Sequence, residues 1–284
     1  MSSGIEVTPT ALQQAHAGLA ILRSATSWAM QEGTLSEAPA DALLPPGALA
    51  ALANTSAAEI WAELARGLMS RSPSRMISAL RASHALPVVL PEVAGLFGVP
   101  QITDEQTSVD LGVHILSALA EAAACQAPLA VRFAILVMNV GKSDSPPEHL
   151  PIHYRHVERA SPRIEAICDR LGVPESCREL ALLSLVEAER VHRVSEVRAG
   201  PVAAMLERLR AFDRPERFNL LMTVCACDYR AYGARSGQSY PKANLLTAAI
   251  NACNSVPLTD AHEDAVHLAR ASAIAAAFGS QRWA

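Results

Sequence analysis

The stretch LAVRFAILVMNVGK, Leu129 to Lys142, decides how the rest of the chain is read. Between Val131 and Val140 it is apolar on nearly every side, so its helix belongs inside a body of other helices rather than on a surface. Asn139, near its end, is then a polar group in a buried place: it needs partners there, or it bonds local backbone as an ordinary helix-terminal asparagine.

The neighbouring segments repeat the pattern of a polar residue on an apolar stripe. On the helix expected over Val109 to Ala124, His114 shares a face with Leu111, Ile115, Ala118 and Leu119. On the helix expected over Glu216 to Tyr232, Asp228 lies one turn from Cys225 on the stripe of Phe218, Leu221 and Met222. A buried carboxylate is costly unless paired, so Asp228 should face a cation such as Arg132 or Arg230, or several donors. Between these helices, PPEHLPIHYRHVERA places His149, His153 and His156 in a loop running into a helix, a spacing that suits metal or phosphate handling as well as plain surface.

Composition agrees with an all-α reading. Half of the 284 residues are apolar but only 4% are aromatic, so the core is aliphatic and alanine-rich, which favours helix over strand. Towards the N-terminus a helix is expected from about Thr10 to Gln31, followed by a loop from Gly33 to Gly47. Ser56 and Glu59 form a capping-box pattern ahead of Ile60, Trp61, Leu64 and Leu68, and Pro73 suits the first turn of the next helix. A short helix fits between Pro87 and Gly98, and from Thr107 onward at least seven more helical patterns follow. No alternating strand pattern and no fixed-period repeat is found. The expectation is a compact multi-helix body with a helical N-terminal extension.

Several function classes lose support. The net charge of -4 provides no whole-protein field for polyanions, so any nucleic-acid contact needs a local patch. The best candidate is His153 to Phe218, with 12 arginines, although 11 acidic residues there point to ion pairs at i,i+4 spacing. The six cysteines form no CxxC pair and are expected to be reduced and buried. No stretch reaches the ~20 apolar residues of a membrane span, and the N-terminus has no basic region followed by an apolar one, so a cytoplasmic protein is expected. Leu12, Leu19, Ile21 and Leu22 on the first helix are expected to offer an aliphatic face to a protein partner or a second copy.

Taken together, ALPVVLPEVAGLFGVPQ (Ala85 to Gln101), DLGVHIL (Asp110 to Leu116), LAVRFAILVMNVGK (Leu129 to Lys142), SPPEHLPIHYRH (Ser145 to His156), RLGVPESCRELA (Arg170 to Ala181), RPERF (Arg214 to Phe218), CDYRAYG (Cys227 to Gly233) and YPKANLL (Tyr240 to Leu246) resemble the neck, body and tail of the bacterial tRNA nucleotidyltransferase, the CCA-adding enzyme, whose C-terminal part carries an HD domain. The resemblance implies a neck-like region over residues 1–100 and an HD-like helical domain over residues 101–284. The family's Gly-Ser pair with a nearby Asp-x-Asp is missing from this sequence, so the resemblance does not imply CCA addition.

In the HD site that the resemblance implies, this chain keeps His114, has Met138 and Asn139 in place of the His-Asp doublet, keeps His156, has Glu189 in place of a further histidine, and keeps Asp228. A thioether and a neutral amide suit a hard divalent cation poorly. No cofactor is therefore expected, and the expected function is that of a catalytically inactive HD relative that binds tRNA or another RNA, or acts as a regulatory scaffold. The alternative is a residual HD-type phosphohydrolase or phosphodiesterase holding zinc, nickel or magnesium on His114, His156, Glu189 and Asp228.

Overall fold

The structure is a computed structural model that describes residues 11–31, 47–102, 107–195, 198–256 and 262–279. Fourteen α-helices form among these residues, as an all-α sequence requires. They fall into two compact units, Met1–Leu182 and Leu183–Ala284.

In the first unit, α1 (Ala11–Met30) packs against α2 (Ala48–Ala53), α3 (Ala57–Leu68) and α4 (Pro73–Ala82). Local chemistry sets these boundaries. Ser56 accepts the Glu59 amide at the start of α3, and Pro73 occupies the first turn of α4, where its missing N–H costs nothing. The aliphatic face expected to be exposed on α1 is not: Leu19, Ile21 and Leu22 are buried within this unit. Burial of each such side chain contributes roughly 1.5–3 kcal/mol, which the three neighbouring helices collect. The side chain of Leu12 lies outside the described residues, as do residues 33–46 of the expected loop.

Two short helices, α5 (Leu86–Val89) and α6 (Pro91–Ala94), lead to a hairpin of β1 (Pro100–Ile102) and β2 (Ser108–Asp110), paired antiparallel with Gln101 opposite Val109. These strands correct the expectation of none. With three residues each they are too short to display a period of two, and what holds them is Asp110: its carboxylate accepts the Val113 amide, capping α7 (Leu111–Ala124), and also the Gly98 amide.

α8 (Leu129–Val137) packs on α3, α6 and α7, and every residue from Val131 to Val137 is buried. Phe133 meets Trp61 edge to face at 5.6 Å. Arg132 is drawn into this interior because it caps carbonyls there, donating to Ala127, Leu68 and Ser70 at 2.7–2.8 Å. After α8 come 3-10 turns at Val140–Lys142 and Pro147–His149, then α9 (His156–Leu171). α9 lies so close on the first turn that a Cβ at Gly141 would collide with the His156 carbonyl oxygen, so only glycine fits.

α10 (Glu175–His192) contains the boundary between the units. In the second unit, α11 (Ala199–Arg208) and α13 (Pro241–Asn254) pack against α14 (Glu263–Phe278), and α12 (Pro215–Arg230) ends beside a 3-10 turn at Gly233–Arg235. Glu207 receives Arg270 at 3.1 Å and His267 at 2.8 Å, tying α14 to α11. No described helix is long and apolar enough to cross a membrane.

Candidate functional site

Four of the six residues singled out in the sequence lie in the first unit. His114 is buried on α7 (4% exposed), Met138 ends α8, and Asn139 opens the following 3-10 turn. His156 begins α9, half-buried, with Nδ1 2.9 Å from the His153 carbonyl oxygen. The elements that carry them are neighbours, since α7 packs on α8 and α9 packs on the turn after α8. Asn139 is buried, yet its side chain makes no hydrogen bond among the described residues.

The loop after Asn139 is held from α9 by two arginines. Arg159 donates to the Gly141 and Tyr154 carbonyls and to Ser145 Oγ, and Arg163 donates to Val140, Ser143 and both oxygens of Asp144. The Arg163 guanidinium holds the Asp144 carboxyl below its ordinary range. His153 bridges Ser145 Oγ, at 2.8 Å, and the Pro100 carbonyl, at 3.0 Å; burial, followed by the Lys142 charge, pushes its imidazole below the usual value. Lys142 is itself buried, with Nζ on Gln101 Oε1 at 2.8 Å. The three loop histidines therefore diverge: His149 is exposed, His153 ties the loop to β1, and His156 bonds local backbone.

The other two residues lie in the second unit. Glu189, half-exposed, pairs with Arg193 at 3.3 Å. The buried carboxylate of α10 is Glu187, two residues earlier, gripped by Arg208 and Arg190 at 2.9 Å. Burial works against ionisation of Glu187, but the two guanidiniums more than offset it and hold the carboxyl below its ordinary value. Asp228 is buried on α12, and within the second unit His192 Nε2 stands 3.1 Å from Asp228 Oδ2, though not aligned as a hydrogen bond. The other ring nitrogen, Nδ1, is 2.7 Å from the Tyr240 hydroxyl. Arg230 donates to the Gln238 carbonyl at 2.7 Å.

His192 and Tyr240 were not singled out from the sequence. The signal was present for His192, which continues the stripe of Ala181, Leu185 and Ala188 at helical spacing. Tyr240 stands just before Pro241 at the start of α13, a position the local pattern marks as a helix boundary only.

Among the described residues, no three His, Cys, Asp or Glu side chains gather into a group able to hold a metal ion. The chemistry after α8, a thioether and a neutral amide, is equally ill suited to a hard cation. The cysteines are free; Cys168, Cys177, Cys225, Cys227 and Cys253 are buried, and burial lifts the Cys168 and Cys253 thiols to about 11, so neither is a ready nucleophile.

The described residues form a nearly all-helical fold. Comparison with known proteins gives it relatives. The chain is 40% identical over 230 residues to the multifunctional CCA protein of Cupriavidus necator, covering 78% of this chain and 56% of that protein. It is 42% identical over 200 residues to that of Aromatoleum aromaticum (70% and 49%) and 41% identical over 209 residues to that of an Acidovorax species (74% and 49%). The chain is thus related to multifunctional CCA proteins over about three quarters of its own sequence and spans about half the length of the curated relatives it matches. No family model matches it.

Proposed function

We propose that this chain is a catalytically silent, HD-derived relative of CCA proteins whose work is to bind RNA, with tRNA as the partner the relationship favours. The observation that carries the reading is the pair Met138 and Asn139 at the end of α8, in a sequence otherwise 40–42% identical to multifunctional CCA proteins. Substitution of both members of a metal-gripping doublet removes the means of activating water while leaving the helical body intact, as the buried α8 and the glycine-permitted approach of α9 indicate.

Where the RNA does not bind is suggested by the arginines. Of the 12 in residues 153–218, eight are held by carboxylates: Arg159, Arg163, Arg170, Arg178, Arg190, Arg193, Arg208 and Arg210, while Arg155 makes only a long, exposed contact of 3.8 Å with Glu158. Arginines already neutralised in this way do not form a broad phosphate-binding face.

The test is a titration of the full chain with unmodified tRNA at rising salt, together with a hydrolysis assay on 2',3'-cyclic nucleotides in magnesium, nickel and zinc. Saturable binding that weakens about tenfold or more between 50 and 200 mM salt, with no metal-stimulated turnover, is the expected result. Metal-dependent cleavage would instead establish the hydrolase reading on His114, His156, Glu189 and Asp228.

A further inference from the structure

The loop between the second 3-10 turn and α9 exposes what a folded protein ordinarily hides. Tyr154 is 58% exposed and Ile152 55% exposed, and His149 stands edge to face with Tyr154 at 5.4 Å. Ile102 of β1 is also exposed, at 50%, and His153 fastens this loop to β1 through the Pro100 carbonyl.

The rings are held, not loose. The Tyr154 carbonyl accepts Arg159 Nη1 at 2.7 Å, the His153 carbonyl lies 2.9 Å from His156 Nδ1, and His153 Nδ1 lies 2.8 Å from Ser145. Arg155, next in the chain, sits in the left-handed region at φ 54°, a conformation that costs a non-glycine residue about 1 kcal/mol or more. The backbone is thus fixed from within while Tyr154 and Arg155 face outward.

The charge around the exposed ring is suited to one class of occupant. Arg155 is 81% exposed, and its ion pair with Glu158 is 3.8 Å long between two exposed side chains, a contact worth little in water and readily exchanged. His149 adds an exposed imidazole, and Lys142, His156 and Arg159 lie near enough to His153 to act on it electrostatically. An exposed aromatic ring beside an exposed guanidinium is the pairing that takes an unpaired nucleotide, base on the ring and phosphate on the cation.

We infer that His149, Tyr154 and Arg155 form a stacking platform for an unpaired nucleotide of a bound RNA. The inference rests on the RNA-binding reading above and names the surface that carries it. Tyr154 supplies the π system, His149 stands perpendicular to it at 5.4 Å, and Arg155 takes a flanking phosphate.

The test uses the full chain, fluorescence anisotropy, and two probes: an unpaired octamer of adenosines and unmodified tRNA. Tyr154→Ala is expected to weaken octamer binding about tenfold, the loss of one stacked base. Tyr154→Phe, which keeps the ring, is expected to stay within about twofold of the parent, and Arg155→Gln to weaken binding with a shallower salt dependence. Because Tyr154 is exposed, circular dichroism should show all three variants folded. If the parent chain binds tRNA and Tyr154→Ala binds both probes as well as the parent does, the platform is overturned while the RNA-binding reading stands. If the parent binds neither probe, the RNA-binding reading falls and the platform with it. A Tyr154-dependent change in the size of the protein alone would assign the patch to protein contact and overturn the inference.

Discussion

His192 Nε2 stands 3.1 Å from Asp228 Oδ2, while the opposite ring nitrogen is 2.7 Å from the Tyr240 hydroxyl. The imidazole thereby links α10, α12 and the start of α13 within the second unit. Tyr229 stacks at a tilt on Tyr240, 5.2 Å between ring centres, and carries Arg235 over its own face at 4.7 Å.

Removing one member should therefore cost stability. His192→Phe takes the neighbouring imidazole away from the buried Asp228 carboxylate, and Tyr240→Phe leaves a ring nitrogen without its hydroxyl. About 1–3 kcal/mol is expected for either, with the first the larger because it acts on a buried charge. Urea unfolding of both variants and of their combination checks this, and coupling between the sites should be evident as non-additivity.

Glu187 sets an acid limit on the second unit. Its folded-state value lies below the ordinary 4.5 because Arg208 and Arg190 outweigh burial. A depressed carboxyl contributes stability that is present above 4.5 and is lost as pH falls below it, through the folded value. Thermal unfolding followed from about pH 7 down to about pH 3 should show that loss, and in Glu187→Gln the acid dependence should be shallower on a lower starting stability.

Gly141 is a steric requirement of the first unit. A methyl group there would collide with the His156 carbonyl and stand 2.7 Å from the Ala160 amide nitrogen, both backbone atoms of α9 that cannot step aside singly. Gly141→Ala should destabilise by about 3 kcal/mol or more, at the upper end for overpacking. Expression level and urea midpoint are the readouts.

Phe133 tests the interior reading of α8. It is fully buried and meets Trp61 edge to face, so Phe133→Ala should cost about 3–5 kcal/mol, whereas truncating exposed Val113 on α7 should change little. Equal losses at the two positions would contradict the burial of α8.

Much of the fold was legible because its signals are local. The all-round apolar run of α8, the Ser56 cap of α3 and Pro73 in the first turn of α4 each act within a few residues of where they are read. The hairpin was not, since its three-residue strands depend on Asp110 reaching back to Gly98. The arginines were half legible. Ion pairing was expected from the mixture of charges, and Arg193 with Glu189 has the expected i,i+4 spacing, whereas Arg159, Arg163, Arg170 and Arg208 reach acids 15 or more residues away, distances that composition does not encode. At the candidate site, burial of Asp228 was legible from its apolar stripe, whereas His192 beside it was hidden because a histidine on an apolar stripe looks like core. Glu189 was named by its position in the resembled motif, while the burial of Glu187, two residues earlier, follows helix phase.

The most direct measurement is tRNA binding by the full chain in the presence of a strong chelator, with the RNA recovered and sized afterwards. Affinity unchanged by the chelator and RNA returned intact are the expected results. Binding abolished by the chelator, or RNA returned with phosphoester bonds cleaved when nickel, zinc or magnesium is supplied, would contradict a metal-free RNA-binding role.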